Sequence, residues 1–523
     1  MTVLNISLHP YQEEATDAIL ARGNMLLAFD MGTGKTITSI AVAEELLGDG
    51  AIDCVLIVVP SGLKLQWASA IATRTDVATQ LLNVKGETFE VPENKYCVVV
   101  DGPPEKRKQQ YAMIKELRPQ YVIVGYQTVT SDIRHIKRIK PGMIILDEAT
   151  TIKNPAADVT KAVRKLWAPI RLALTGTPVD NRLEELWAVL WWVDREVLGD
   201  FEIFDRSFIE RDHWGNVRSY RNLHILHKKI KSVVIRKRTT DPDVAPYMPA
   251  LEHSKIHVSM DTATERVYRE ILKDLAVELA QLPARSNFDL HSHYTGDSEN
   301  TAAGRVMAVH IAAQMLLTDP ELLFESESRY AQRLRESGIL EGLPPSAKFR
   351  RLEREVDALL GDPESKVIIV TKFRGMVRTL HDRWPDSVTY HGSMSPAQKQ
   401  AAVNKFTNDP NVRVFCMSHA GAYGVDLPGA TAHFNLDPAR ATGQRNQINA
   451  RGVRAGSRAE LVRVTDLITR GTIEEREYQR LDLRGRVAGA VVDGRGASPR
   501  GSIENTVESL TAHVTACLDD DSG

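Results

Sequence analysis

The strongest constraint on the fold is the alternation of short, wholly apolar runs with helical patterns along residues 1–240. Runs of four to six apolar residues predict strands that are buried on both faces of a parallel sheet. A helical pattern follows several of these runs, notably over 36–47. The alternation predicts a doubly wound α/β domain, with a helical, aromatic-rich extension over 180–235. The predicted strands are 25–29, 54–59, 121–124, 143–146 and 172–175.

The pattern changes in the middle of the chain and then returns. Residues 241–345 predict a helical insertion, with a polar stretch between its helices. A second α/β unit is predicted over 346–484, on strands at 367–370, 387–390, 412–417, 432–435 and 461–465. Residues 485–523 begin with a glycine- and arginine-rich stretch that predicts a linker, and end in an amphipathic helix over 503–518.

The composition fits several folded domains and gives no sign of a membrane or secreted protein. The chain has 523 residues, of which 43% are hydrophobic and 26% charged. Its formal net charge of -2 excludes a global positive field, although a local basic groove suffices to bind nucleic acid. The four cysteines lack zinc-ligand spacing, and no signal peptide or bilayer-spanning apolar run is present. We therefore expect a soluble, intracellular protein, cytoplasmic or nucleoid-associated, with no membrane partner.

A glycine-bearing turn, residues 30–34, joins the first predicted strand to a helix. Glycines let backbone N–H groups wrap phosphates, and a helix N-terminus adds positive potential. In such a P-loop Lys35 reaches the β- and γ-phosphates and the Thr36 hydroxyl binds Mg²⁺. Phe29 departs from the strict pattern, which has a small residue there, and a turn that merely caps a helix is the alternative. The residues of the predicted cradle are Gly32, Thr33, Gly34, Lys35 and Thr36.

An acidic pair, Asp147 and Glu148, ends the predicted strand 143–146. Ligand-facing residues belong at the carboxyl ends of strands in such sheets. Asp147 would hold Mg²⁺, directly or through water, and Glu148 would orient and polarise the attacking water. The alternative is an acidic cap, but the P-loop in the same unit favours a site for ATP and Mg²⁺.

Phosphoryl transfer also needs positive charge near the transferred group. Arg451 and Arg454 are predicted to share a helix after Gln447, and their spacing of three places both on one face. They could act as arginine fingers, although a solvated charged face is the alternative reading of the pair.

The order of these segments resembles that of helicase superfamily two, and within it the Swi/Snf-type DNA translocases. The resemblance covers residues 8–480. It is carried by Leu-His-Pro-Tyr-Gln at 8–12, by the acidic box with Lys-Asn at 147–154, by Thr-Gly-Thr-Pro at 175–178 with Asn181, and by 447–454. It implies two RecA-like P-loop lobes with helical insertions, ATP between them and DNA across both.

The resemblance also implies roles for individual residues. Gln12 would recognise adenine, and Arg451 and Arg454 would face the nucleotide. The further nucleotide-binding residues implied are Gly424, Asp426 and Gln447. The residues implied to contact DNA are Gln66, Lys153, Asn154, Gly392 and Ser418.

Four other features leave alternatives open. The basic segments 134–140 and 227–238 could meet DNA phosphates, but a solvated face is favoured for each alone. The histidine-bearing stretch 289–297 resembles a metal motif of phosphoesterase barrels, but an exposed loop is favoured. The C-terminal helix either docks on the second α/β unit or binds a protein partner through the same apolar face.

The sequence as a whole predicts a DNA-dependent ATPase that moves along duplex DNA without sequence preference. A strand-separating helicase shares every motif named above. A nucleotide-gated DNA clamp with little turnover is the alternative from another class, and intact Lys35, Asp147, Glu148 and Arg454 argue against it.

Overall fold

The computed structural model describes residues 4–75, 78–80, 96–180, 182–213, 215–284, 299–419, 427–452, 459–494 and 507–519. The chain forms two compact units. Unit 1 comprises Met1–Ile209, Tyr220–Met248 and Arg486–Ser498, and unit 2 comprises Glu210–Ser219, Pro249–Gly485 and Pro499–Gly523. Within the described ranges, no helix combines the length and apolar character needed to cross a membrane. The finer four-part division predicted from the sequence stays a prediction.

Unit 1 is built on an eight-stranded sheet whose neighbouring strands all run parallel. The apolar runs form its central strands, and burial on both faces removes them from water. In sheet order the strands are β10 (Val234–Lys237), β1 (Met25–Phe29), β7 (Ile170–Leu174), β6 (Met143–Leu146), β2 (Val55–Val59), β5 (Tyr121–Gly125), β4 (Tyr96–Val99) and β3 (Ala78–Gln80). The helices are α1 (Pro10–Arg22), α2 (Lys35–Gly48), α3 (Lys64–Arg74), α4 (Pro104–Leu117), α5 (Tyr126–Ile136), α6 (Asp158–Val163), α7 (Leu183–Val193), α8 (Arg195–Leu198), α9 (Phe201–Phe208) and α10 (Leu223–Ile230). Two short strands, β8 (Ile209–Arg211) and β9 (Val217–Tyr220), follow α9.

Unit 2 is built on a six-stranded sheet that is also parallel throughout. In sheet order its strands are β11 (Ala250–Val258), β16 (Leu461–Thr469), β15 (Ala432–Asn435), β12 (Val367–Thr371), β14 (Val414–Ser418) and β13 (Val388–Tyr390). Its helices are α11 (Thr262–Leu279), α12 (Ala302–Thr318), α13 (Glu321–Glu325), α14 (Arg329–Glu336), α15 (Ala347–Leu359), α16 (Arg374–Arg383), α17 (Pro396–Asn408), α18 (Thr442–Asn449), α19 (Ile473–Ala488) and α20 (Val507–Asp519). Each unit therefore has the doubly wound parallel sheet that the sequence predicts.

Two local predictions are wrong. The segment predicted to open a helical insertion contains β11, which pairs with β16 over its whole length of nine residues. The described part of the glycine-rich stretch predicted as a linker, residues 485–494, completes α19 and continues as a π-helical turn, Gly489–Asp493, whose Val491 and Val492 are buried. In both cases a distant packing partner overrides local composition.

The C-terminal helix packs within unit 2. Val507, Leu510 and Val514 of α20 are buried in a cluster with residues of α11 and α12. The same apolar face that the sequence assigns to docking or to a partner is therefore covered by the chain itself.

Candidate active site

Three loops of unit 1 leave neighbouring strands at the same edge of the sheet. The P-loop follows β1, the Asp147–Glu148 pair follows β6, and the loop beginning at Thr175 follows β7, which lies between β1 and β6. Because the carboxyl ends of parallel strands meet at one edge, the sheet itself gathers these loops into one site.

The P-loop has the backbone shape that its glycines predict. Gly32 and Gly34 have φ angles of +79° and +92°, which residues with a Cβ rarely adopt. The Lys35 ammonium donates to the carbonyls of Phe29 at 3.0 Å and Asp30 at 3.1 Å. The Phe29 side chain is fully buried in the hydrophobic core, so its bulk is kept away from the loop. The departure from the strict motif thus leaves the cradle intact.

Two side chains of helix α1 hydrogen-bond to the P-loop. Tyr11 and Gln12 both donate to the Thr33 carbonyl, at 2.8 and 3.2 Å, and Gln12 accepts from the backbone of His9. A Cβ at Gly34 would lie 2.2 Å from the Gln12 side-chain nitrogen. Gly34 is therefore needed for this close approach as well as for its φ angle. Adenine recognition by Gln12 stays a prediction.

Asp147 is a buried carboxylate held by three polar groups. Its Oδ2 accepts from the Trp67 indole at 2.7 Å, its Oδ1 accepts from the Glu148 backbone at 2.9 Å, and its carbonyl accepts from the Tyr126 hydroxyl. Burial raises the pKa of Asp147, while the Trp67 hydrogen bond and the charge of Lys35 act against that rise. Lys35 follows β1 and Asp147 follows β6, and in the sheet only β7 lies between these two strands.

Glu148 occupies a left-handed backbone conformation, with φ of +48°. Residues other than glycine adopt it at a cost of about 1–3 kcal/mol, and such strain concentrates at functional sites. Glu148 is also partly exposed, whereas Asp147 is buried. That difference suits a carboxylate that must reach water beside one that holds a cation.

The loop after β7 touches the P-loop. A Cβ at Gly176 would lie 2.8 Å from the terminal methyl of Met31, so a larger residue there would require Met31 to shift. The backbone N–H of Thr177 bonds to the Thr175 hydroxyl, which fixes the turn. Asn181 lies outside the described residues.

In unit 2, Gln447 lies on α18 and is buried. The prediction that Arg451 shares this helix is wrong: α18 ends at Asn449, and the Arg451 carbonyl accepts from the backbone of Leu427. Gly452 lies close to Ala430, whose Cβ would be 3.3 Å from a Cβ added at Gly452. The predicted residues Gly424, Asp426 and Arg454 lie outside the described residues.

The predicted DNA-contacting residues divide by exposure. Gln66, Asn154 and Gly392 are exposed, Ser418 is buried, and Lys153 pairs with Asp180 at 2.8 Å and Glu185 at 3.3 Å. Although burial lowers the pKa of Lys153, these carboxylates raise it overall. Ser418 is the last residue of its strand, and the other four follow the carboxyl ends of strands in their own unit.

The C-terminal end of the second basic segment, residues 236–238, pairs with carboxylates within unit 1. Arg236 pairs with Asp30 and Asp493, Lys237 with Glu14 and Asp243, and Arg238 with Asp241. These contacts account for the charges at 236–238 without any phosphate.

Sequence reasoning missed three contributors to the site. They are Trp67 and Tyr126, which hold Asp147, and Arg236, which holds Asp30. Tyr126 directly follows β5, and Trp67 lies on the helix that follows β2. Their positions after predicted strands could have identified both residues as candidates. Arg236 gave none, because its strand β10 was not predicted.

The donors at the site fit Mg²⁺. A carboxylate and a hydroxyl, from Asp147 and Thr36, are the protein ligands such ions take when phosphates and water supply the rest. The part of the chain that the structure describes contains no group of three or more His, Cys, Asp or Glu residues that could hold a metal by itself. The stretch 289–297 lies outside the described residues.

Comparisons with known proteins agree with this geometry. A model of the SNF2-related domain matches residues 11–320, and a model of the helicase conserved C-terminal domain matches residues 347–456. The chain is 26% identical over 483 residues to an uncharacterized ATP-dependent helicase of Mycoplasma pneumoniae, covering 90% of this chain and 41% of that protein. It is 25% identical over 501 residues to the DNA repair and recombination protein RAD54 of Saccharomyces cerevisiae, covering 90% of this chain and 53% of that protein. The chain thus spans about half the length, or less, of these two relatives.

A solved structure supports the fold. The Hef helicase domain of Pyrococcus furiosus aligns with a TM-score of 0.54 and 18% identity, over 92% of this chain and 99% of that chain. Together with the two parallel sheets, this likeness confirms the predicted RecA-like architecture.

Proposed function

The chain belongs to the SNF2-related family, and from that premise we propose that it is a DNA-dependent ATPase that moves along duplex DNA. The reaction is hydrolysis of the bond between the β- and γ-phosphates of ATP.

Residues of unit 1 carry most of the proposed chemistry. Lys35 exchanges its bonds to the P-loop carbonyls for the phosphate oxygens. Glu148 orients a water molecule in line with the γ-phosphorus and accepts its proton as the bridging oxygen leaves with ADP. Mg²⁺ held through Thr36 and Asp147 would neutralise phosphate charge. Positive charge from Arg451 and Arg454 completes the proposed set.

The observation that carries the proposal is the contact between the loop after β7 and the P-loop, at Gly176 and Met31. A phosphate cradle and an acidic pair alone support an ATPase. The loop after β7 packs against the P-loop, and β7 lies between β1 and β6. A shift of the P-loop on phosphate binding would therefore also move residues outside the nucleotide site. One of those residues is Lys153, whose partners Asp180 and Glu185 follow the same loop.

DNA is the proposed partner because exposed candidates follow strand ends in each unit, and because a yeast relative is named for DNA repair and recombination. Contacts to the sugar-phosphate backbone make the proposed binding independent of sequence. We propose that the protein acts in the cytoplasm or in association with the nucleoid. A protein partner at α20 would require its buried face to separate from unit 2.

The test is steady-state ATP hydrolysis without nucleic acid and with duplex DNA, single-stranded DNA or RNA. Glu148→Gln should reduce kcat for ATP hydrolysis by a factor of about 10² or more. ATP should still bind, because the substitution leaves the P-loop unchanged. Glu116→Gln, on an exposed position of α4, is the matched control and should retain activity.

Stimulation by duplex DNA that is lost in Glu148→Gln supports the proposal, and triplex displacement would then report movement. Stimulation by single strands alone would replace it with a strand-separating helicase. ATP binding without turnover under every condition would replace it with a nucleotide-gated clamp.

A further inference from the structure

The segment after α19 belongs to unit 1 and packs on α10. Its π-helical turn, Gly489–Asp493, buries Ala490, Val491 and Val492. The Val491 carbonyl accepts from Nδ1 of His227 at 2.9 Å. Gly494 has a φ angle of +66° and lies so close to the same imidazole that a Cβ would come within 2.7 Å of Nε2. The turn is therefore seated in one register against α10.

In this position of the turn, Asp493 pairs with Arg236, and Arg236 also pairs with Asp30 of the P-loop. Arg236 Nε donates to Asp493 Oδ1 at 2.8 Å, and Nη1 lies 2.7 Å from Asp30 Oδ1 and donates to the Ala28 carbonyl at 2.8 Å. All three charged side chains are largely buried, with exposed fractions of 20% for Arg236, 15% for Asp493 and 26% for Asp30. The planar guanidinium bridges the two carboxylates with separate nitrogens, Nε and Nη1, at a fixed spacing that the single ammonium of a lysine does not reproduce.

Asp30 is the residue through which the P-loop begins. Its carbonyl accepts from the Lys35 ammonium and from the Thr33 hydroxyl, its Oδ2 accepts from the Thr239 backbone, and its own N–H donates to the Lys237 carbonyl. A displacement of Asp30 would therefore move the groups that orient Lys35.

We propose that Asp493 is a positioning residue for the P-loop, and that the segment after α19 thereby regulates nucleotide binding. The inference rests on the proposed function, since it assigns a regulator to the same ATP site. The helix α19 starts in unit 2 and its last residues, from Arg486 on, belong to unit 1. Movement of that helix reaches Asp493 through the covalent chain, and Arg236 passes it on to Asp30.

The test compares Asp493→Asn with Asp132→Asn in the full chain. The control breaks the Arg107–Asp132 pair of unit 1, which joins α4 to α5. Its length of 2.7 Å and its burial are similar to those of the Arg236–Asp493 pair, at 2.8 Å. Hydrogen–deuterium exchange of a peptide spanning residues 28–36 measures P-loop order without requiring turnover. Steady-state kinetics then give KM for ATP and kcat separately.

Asp493→Asn should accelerate P-loop exchange and raise KM for ATP about fivefold, with kcat changed by less than about twofold, because the catalytic groups remain. Asp493→Glu should restore part of the effect. Arg236→Lys should add little to Asp493→Asn, since both break the same bridge.

Unchanged P-loop exchange in Asp493→Asn, or an equal change in Asp132→Asn, would overturn the inference. A wild-type chain that lacks nucleic-acid-stimulated hydrolysis would overturn the proposed function instead. The exchange comparison decides the positioning role in either case.

Discussion

Trp67→Phe tests whether the buried hydrogen bond from Trp67 to Asp147 contributes more to the free energy of unfolding than the packing of the indole ring. The indole Nε1 and the Asp147 Oδ2 lie 2.7 Å apart, and both side chains are buried. Loss of a hydrogen bond to a buried charged group costs about 1.5–3 kcal/mol. The smaller phenyl ring adds a cavity term of about 1 kcal/mol. We therefore expect the free energy of unfolding to fall by about 2.5–4 kcal/mol.

The chain supplies a matched control in Trp192→Phe. Trp192 is as buried as Trp67, at 2% exposure, and its Nε1 finds no acceptor among the described residues. The same loss of ring volume there removes no hydrogen bond. Equilibrium urea denaturation followed by circular dichroism should place Trp67→Phe about 1.5–3 kcal/mol below Trp192→Phe.

The same variant should affect the cation site. Without the indole the pKa of Asp147 rises further, because burial is then less opposed, and the acid limb of the pH–rate profile should move to higher pH. Equal destabilisation by both substitutions, together with an unmoved acid limb, would refute the reasoning and leave Trp67 a packing residue only.

Two further outcomes follow from the geometry. Gly34→Ala should weaken binding of a fluorescent ATP analogue at least about tenfold, since its Cβ would strike Gln12, whereas Gly50→Ala, at φ +68° with open space around it, should bind normally. Burial lowers the pKa of His433 to about 4 from 6.5, so the unfolded chain takes up a proton first and stability falls as pH falls from 6.5 towards 4. His433→Gln should remove about 2 kcal/mol of that loss between pH 7.5 and pH 5 in urea denaturation, and an unaltered slope would assign the pH dependence to other groups.

The sequence predicts those parts of the fold that local pattern determines. β1 and β6 begin and end at the predicted residues, because an apolar run bounded by glycine or polar residues defines where a buried strand starts and stops. The P-loop and the acidic pair were predictable for the same reason, since each directly follows such a run. Lys35 and Asp147 each follow such a run, and in the sheet only β7 separates the two strands.

The parts that the sequence does not predict depend on distant partners. β11 has nine residues of which most are exposed, and it is a strand only because β16 pairs with it from more than 200 positions away. Arg236 and Asp493 are likewise 257 positions apart. Neither residue differs in sequence from a solvated charge, so only the folded chain reveals their bond.

The placement of these distant contacts suggests how the proposed ATPase could respond to a bound nucleotide. The Lys35 ammonium donates to carbonyls within the P-loop, and binding of phosphate requires those bonds to be exchanged. Because Gln12, Gly176 and Arg236 each abut the loop from a different part of the chain, the exchange changes the surroundings of all three at once. Packed interfaces transmit such small shifts instead of absorbing them. The neighbours that hold the P-loop in place are therefore also the elements through which its occupancy can be communicated.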